Sequence, residues 1–287
     1  MSDVTVIGLG AMGKAIANAF MNAGHATTVW NRSAGKMEPL RISGAICADR
    51  PGDAVAASPL TIVCIDDYTA TRDLFEEHGL GRKLAGRTLV QFSTGTPKEA
   101  RDFAAGAKLH GMAYLDGAIL AYPREIGHDG IIALSGDAGA YAGAEGLLAA
   151  LSTDIRYLGA TVGAAAALDL ALLTYTLTTH LGLVHAALIC ESEQVSADEL
   201  AAVVVDSQPS DAEEIRHLGQ ALMTNDFANP GASIGVYSGV LDRLLAQAED
   251  AGIDATIPLF ANDLYKRGMA AGLADEEVVA LIKLLRR

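Results

Sequence analysis

Positive charge is scarce in this chain: 21 lysines and arginines stand against 35 aspartates and glutamates, a net charge of −14. A surface of that sign repels phosphate backbones and anionic lipid headgroups. Nucleic-acid and membrane partners are therefore disfavoured, and any bound polyanion needs a local basic exception. Cysteine is scarce too. Cys47, Cys64 and Cys190 lie far apart, with no CxxC or other metal-ligand spacing. That pattern excludes a disulfide scaffold, points to no metal site, and reads as reduced thiols in a cytoplasmic setting. Basic residues are also missing from the opening "MSDVTVIGLG", which enters a strand pattern at once, so no signal peptide is expected. Hydrophobic residues at 51% with charged residues at 20% describe a soluble globular chain, and 287 residues suffice for one large domain or two of ordinary size.

Charge is nearly absent from one segment. Between Gly163 and Cys190 the 28 residues carry a single formal charge, Asp169. The run is long enough to span a bilayer, where about 20 apolar residues are needed. Two histidines, five threonine or tyrosine hydroxyls and the lack of a flanking basic cluster favour instead a long buried helix of a soluble protein. Burying a carboxylate costs free energy unless something compensates it, which makes Asp169 a candidate functional group.

From Val4 to about Leu158, short β-branched runs alternate with helix-like stretches. The expected strands are "VTVIGL", "ATTVWN", "GAICA", "LTIVCI", "RTLVQFS", "AYLDGAI", "GIIALSG" and "DIRYLG". Alternation of this kind indicates βαβ units on a parallel sheet. After Gly163 no strand signal competes with helix. Helical segments are expected around 197–205, 211–223, 235–251, 257–271 and 275–285, with the domain boundary near Gly159 to Gly163.

"VTVIGLGAMGKAIANAF" supplies the GxGxxG of a dinucleotide site, the turn Gly8, Leu9, Gly10, Ala11, Met12, Gly13 between strand and helix. Gly8 makes the tight turn, Gly10 admits a pyrophosphate to the backbone, and Gly13 lets helix pack on sheet. The helix N-terminus then faces the phosphates. NAD enzymes usually close the second strand with an acid for the ribose hydroxyls; here it ends in Asn31, Arg32 and Ser33, with Lys36 a turn later. A guanidinium, a hydroxyl and an ammonium suit a 2′-phosphate, so NADPH is expected over NADH. This is also the basic exception that the acidic chain requires. Ile65, Asp66, Ser93 and Thr94 follow later strands and are expected beside the nicotinamide half, although Thr94 and Gly95 also read as turn residues. Asp66 and Asp67 read as caps of the next helix.

These motifs, with "GLGAMG", "VWNRS", "STGTP", "YLDGAILAYP", "LDLALL" and "NPGASIGVYSGVLDRLLAQAEDAGIDATIP", resemble the β-hydroxyacid dehydrogenase superfamily and, within it, the NADPH-dependent imine reductases and reductive aminases. The resemblance covers nearly the whole chain. It implies an α/β Rossmann N-terminal domain (1–160) joined by a long interdomain helix to an all-α C-terminal domain (161–287). It also implies a homodimer that exchanges helical domains and shares its active sites. Hydroxyacid dehydrogenases carry a Ser-Gly-Gly segment where this chain has Asp116, Gly117, Ala118 and Ile119, and a catalytic lysine on the long helix where it has Leu168 and Asp169. A cation and a carboxylate clamp are lost and an acid is gained.

That exchange suits a cationic iminium. A carboxylate stabilises such a cation by roughly 4 kcal/mol at about 4 Å when the effective dielectric is about 20, before desolvation is subtracted. Burial also raises a carboxyl pKa, so Asp169 serves either as anchor or as proton donor, and the sequence leaves both open. At about 100° per residue, Asp169, Leu173, Thr176 and His180 share one face of the helix. An ion pair with arginine, or a capping role, is the competing structural reading of Asp169.

Reductive aminases typically place a tyrosine where Leu177 stands and an asparagine at Thr94, so coupling of ketone with free amine is less expected than reduction of preformed cyclic imines. Aspartate at 169 resembles the branch usually giving (R)-amines. Tyr122 and Tyr237 enter the expected substrate pocket by resemblance, with packing as the competing role. His180 and His185, about 140° apart on the helix, do not share a metal ion. His180 is expected at the pocket, and His185 as a satisfied core histidine. Trp30 reads as a core residue, with packing near adenine as the competing role. Two other functions stay open at this point: a hydroxyacid-type dehydrogenase and a non-catalytic NADP-binding sensor.

Overall fold

The computed structural model describes residues 1–286. All eight expected strands form, in one sheet: β1 (Val4–Ile7), β2 (Thr27–Trp30), β3 (Ile46–Cys47), β4 (Leu60–Val63), β5 (Thr88–Gln91), β6 (Ala113–Leu120), β7 (His128–Gly136) and β8 (Ser152–Tyr157). Their spatial order is β3-β2-β1-β4-β5-β6-β7-β8. The connecting helices are α1 (Ala11–Asn22), α2 (Glu38–Ile42), α3 (Pro51–Ala56), α4 (Tyr68–His78), α5 (Leu80–Lys83), α6 (Pro97–Leu109) and α7 (Ala138–Leu148). Every residue of β1 and β4 is buried, because helices cover both faces of a parallel sheet and leave its central strands no solvent side. Two clusters form the core, one around Val6, Phe20, Ile62 and Leu134, the other around Ile7, Val63, Phe75 and Leu89.

The sheet departs from the expected all-parallel arrangement at its end. β7 runs antiparallel to β6, with Asp116 opposite Ser135, and β8 then runs parallel to β7. Only seven residues separate β6 from β7. A parallel crossover needs a dozen or more, so this connection can only reverse the chain.

Beyond Gly163 the chain is helical: α8 (Ala164–Ser192), α9 (Ala197–Thr224), α10 (Ile234–Ala251), α11 (Thr256–Ala270) and the short α12 (Ile282–Leu285). The two helices expected over 197–223 are one. Pro209 sits inside α9 without breaking it. The residue whose carbonyl loses its i+4 donor there, Val205, is 67% exposed, so water can replace the missing N–H. The helix expected over 275–285 is a 3₁₀ turn (Val278–Leu281) followed by α12.

Compact units divide at Met1–Tyr175 and Thr176–Arg287, a cut that falls inside α8. The second unit has its own core of Ala221, Phe227, Ile234, Leu273, Ala280 and Leu281. Within it Glu277, nearly inaccessible, accepts from His217 Nε2 at 3.0 Å and from the backbone N–H of Gly231 at 3.1 Å, tying the loop after α9 to the C-terminal turn. A single chain does not bury α8 along its length. Only its first turn and His185 are buried, while Leu172, Leu177, Leu181 and Val184 are exposed. By length and composition α8 is also long and apolar enough to cross a membrane.

Candidate active site and cofactor cradle

The carboxyl ends of β1, β2, β4 and β5 lie along one edge of the sheet, since these strands are mutually parallel and in register. The glycine turn sits there. Gly8 has φ +92°, and a Cβ on it would stand 2.2 Å from the Cys64 carbonyl oxygen. A Cβ on Gly13 would stand 1.9 Å from the Gly8 carbonyl oxygen. Both glycines are therefore required by the protein itself. Gly10 is different: a Cβ there would meet no atom within 4 Å. Its lack of a side chain serves no internal packing, and it keeps the backbone at the α1 N-terminus open to a phosphate. Leu9 is buried, Ala11 is exposed and Met12 is half-buried against the core.

At the end of β2, Asn31 turns inward. Its Oδ1 accepts the Leu9 N–H at 2.9 Å, and its Nδ2 donates to the Ser33 carbonyl at 3.2 Å. Arg32, Ser33 and Lys36 are exposed beside it. The residues present fit an NADP dinucleotide: a phosphate-admitting turn, no acid at the strand end, and two cations with a hydroxyl in its place. Farther along the edge, the buried Ser93 hydroxyl accepts the Ile65 N–H at 3.2 Å, which locks the turn after β4 to that after β5. Thr94 is exposed. Of the two aspartates expected as caps, Asp67 caps α4 by accepting from the Ala70 N–H at 2.7 Å, and Asp66 precedes the cap position. Trp30 packs edge-on against His78 with ring centroids 6.5 Å apart. Burial pushes the Cys64 thiol up to about 11, so it stays protonated and is no nucleophile near neutral pH.

Asp169 lies one turn into α8 and is half-buried. It makes no ion pair with an arginine among the described residues. Nor does it cap α8. That task falls to Asp116 on β6, whose side chain is 1% exposed. Asp116 Oδ2 accepts the backbone N–H groups of Gly163 and Ala166, each at 3.1 Å, and the Ser135 hydroxyl at 3.2 Å. Its Oδ1 accepts the Tyr68 hydroxyl at 3.0 Å, and Tyr68 is in turn 3.0 Å from the Tyr114 hydroxyl. Burial raises the Asp116 carboxyl above its ordinary range, and these donors pull it partly back. Desolvation raises Asp169 as well, and the nearby charge of Asp116 raises it further. A carboxyl set this way holds a proton to higher pH than an exposed aspartate.

The remaining expected pocket residues are spread over both units. Leu173 belongs to the first, 38% exposed; Thr176, Leu177, His180 and Tyr237 belong to the second. Leu177 is 60% exposed and Tyr237 packs edge-on against Tyr265. Tyr122, on the loop between β6 and β7, is exposed and stacks under the Arg124 guanidinium, 4.7 Å from the ring centroid. His185 is buried but not satisfied: its Nε2 has no hydrogen-bond partner, and it lines an apolar hollow of about 300 Å³ with Gly182, Leu241 and Pro258. Asp116, Tyr68 and Ser135 are the residues that sequence reasoning missed. The signal available was an aspartate in the middle of an otherwise apolar strand.

Comparison with known proteins gives the family of the chain. The NAD binding domain of 6-phosphogluconate dehydrogenase matches residues 3–159, and the C-terminal domain of NADPH-dependent reductive aminase-like proteins matches residues 161–287. An NADPH-dependent reductive aminase of Aspergillus oryzae is 27% identical, over 99% of this chain and 97% of its own length. An imine reductase from Myxococcus stipitatus, solved with NADP+, is 31% identical with a TM-score of 0.93, covering 99% of this chain and 100% of that one. A reductive aminase from Aspergillus terreus, solved with NADPH4, cyclohexanone and allyl amine, is 33% identical with a TM-score of 0.90, covering 99% of each chain. With a Rossmann half, a helical half and similarity over its whole length, the chain belongs to the family of NADPH-dependent imine reductases and reductive aminases.

Proposed function

We propose that this protein reduces the C=N bond of small, preformed cyclic imines to amines, with NADPH as the hydride donor. The observation that carries the reading is Asp169: a half-buried carboxyl, raised above its usual range, one turn into α8, in a chain whose β2 ends without an acid. NADPH, when bound, supplies the hydride. The protein's part is to hold it and to prepare the imine. Gly8, Leu9, Gly10, Ala11, Met12 and Gly13 cradle the pyrophosphate; Asn31, Arg32, Ser33 and Lys36 receive the 2′-phosphate end; Ile65, Ser93 and Thr94 border the nicotinamide half. Asp169 meets the imine nitrogen. An imine becomes a good hydride acceptor once protonated, and a carboxyl with a raised pKa can supply that proton and then, as carboxylate, stabilise the cation it has made.

Leu173, Thr176, Leu177, His180, Tyr122 and Tyr237 form the substrate pocket in this reading. We further infer a cytoplasmic homodimer with exchanged helical domains and shared active sites, and a domain boundary at residues 160/161. The apolar side chains exposed along α8 support the dimer, because contiguous exposed apolar surface marks interaction sites. A hydroxyacid dehydrogenase is disfavoured because no lysine stands near Asp169 on α8. Oxidation of NADPH followed spectrophotometrically with a 1-pyrroline-type imine, with a hydroxyacid, and with no substrate tests the proposal. Turnover with the imine alone is expected; turnover only with the hydroxyacid, or none, overturns it.

A further inference from the structure

We propose that Asp116 is the positioning residue for Asp169: one buried carboxylate on β6 fixes the first turn of α8 and sets the electrostatic environment of the carboxyl one turn on. The inference rests on the assignment of imine reduction to Asp169. Its geometry does not. The amide of Gly163, just before α8, and that of Ala166, in its first turn, end on Asp116 Oδ2 at 3.1 Å, and Ala166 lies three residues before Asp169. A third, the Ala165 N–H, ends on Ser135 Oγ at 3.2 Å, and that hydroxyl donates to the same Oδ2. Helices normally satisfy these amides with a neighbouring cap residue. Here the preceding loop satisfies only the Ala164 N–H, through the Thr161 carbonyl at 3.2 Å, and the others named are satisfied from across the sheet, so the position of α8's first turn is tied to β6 and β7 as well as to its own loop.

The charge follows from the donors. Four hydrogen bonds converge on the Asp116 oxygens, the arrangement that keeps a buried carboxylate ionised. Its negative charge opposes a second one on Asp169. The other polar or charged groups around this turn are Tyr68 on α4, Tyr114 on β6 and Arg101 on α6, whose Nη1 would stand 3.1 Å from a Cβ on Gly163. Both tyrosines are held in the neutral hydroxyl form by burial. Neither supplies charge, which leaves Asp116 as the anion that repels ionisation of Asp169.

The test is Asp116→Asn, which keeps the shape and an acceptor oxygen for the α8 amides while removing the charge. In the holoenzyme, the limb of the kcat pH profile that depends on Asp169 is expected to move to lower pH, with the KM for NADPH unchanged. Ser135→Ala, which removes one of the four donors to Asp116, is expected to move the limb the same way by a smaller amount. Infrared titration of the Asp169 carboxyl, identified by its loss in Asp169→Asn, gives the same reading without turnover. A titration midpoint that Asp116→Asn does not move overturns the proposal. A midpoint that moves in a protein that reduces no imine would leave Asp116 as positioning residue and defeat the proposed reaction instead. Should Asp116→Asn not fold, Tyr68→Phe replaces it: losing the donor on Oδ1 weakens the anion, so the same downward movement is expected, and an unmoved midpoint again refutes the idea.

Discussion

Asn31 Oδ1 accepts the backbone N–H of Leu9 at 2.9 Å, so the residue that ends β2 is used up in shaping the glycine turn after β1. An aspartate at that point would turn a carboxylate toward the ribose; an asparagine spends its acceptor on the protein and leaves recognition to the exposed Arg32, Ser33 and Lys36. Arg32→Ala is therefore expected to raise the KM for NADPH by roughly tenfold, the worth of about one charge-assisted hydrogen bond, and to leave kcat unchanged. The KM for NADH should stay where it is. Steady-state kinetics with both cofactors decides it, and an unaltered NADPH KM would remove Arg32 from the 2′-phosphate site.

The glycine turn separates two kinds of glycine. Gly13→Ala forces a Cβ to within 1.9 Å of the Gly8 carbonyl oxygen, so the strand-turn-helix unit must shift, and a fall in Tm of several degrees is expected. Gly10→Ala meets nothing within 4 Å and removes backbone freedom from the unfolded chain, so Tm should hold or rise slightly. NADPH affinity should nevertheless fall, because the methyl group occupies the approach to the backbone. Calorimetry paired with cofactor fluorescence titration checks both halves. A Gly10→Ala protein that binds NADPH normally contradicts the cradle described above.

Asp169→Asn should lower kcat by about a hundredfold, the lower end of what a general acid contributes, with NADPH binding intact. Its effect on stability has the opposite sign. The folded-state pKa of Asp169 is raised, so the protonated form is the one the fold favours: far below the carboxylate range both states are protonated and no penalty exists, and the penalty grows as pH rises through the folded pKa. Asparagine is thus expected to raise Tm near neutral pH and to leave it unchanged in acid. Equal Tm differences at both pH values would show that burial of the charge is not what the substitution relieves.

Much of the fold was legible because its signals are local. β1 and β4 are short β-branched runs bounded by turns, and the eight strands appear where those runs stand. The reversal at β7 was not legible from strand content; only the shortness of the loop after β6 encodes it. Continuity of α9 through Pro209 depends on that turn facing water, which a sequence does not show. At the site, Asp169 was conspicuous as a lone charge in an apolar helix. Asp116 was not, because its partners Gly163, Ala166, Ser135 and Tyr68 lie 19 to 50 residues away in sequence and meet only once the sheet is assembled. Burial of α8, which its composition calls for, is not achieved within one chain. Apolar content reports what a segment must hide from water, and leaves open whether its own chain does the hiding.

The last prediction turns on that helix. Leu177, Leu181 and Val184 are 57 to 60% exposed, and Leu173 lies one turn before Leu177. Leaving such a stripe in water forfeits roughly 25 cal/mol for every Å² that a partner would cover, so a second copy of the chain gains most by packing there. Lysine at Leu181 places a charge in the middle of any such contact, where it must be desolvated without a counterion. If the protein is the exchanged dimer proposed above, Leu181→Lys is expected to shift it from dimer toward monomer at micromolar concentration and to reduce imine turnover at least tenfold. Sedimentation velocity at several concentrations, run beside the activity assay, follows both. If the unaltered protein already sediments as a monomer while turning over, the exchanged dimer is wrong and α8 owes its apolar face to something else.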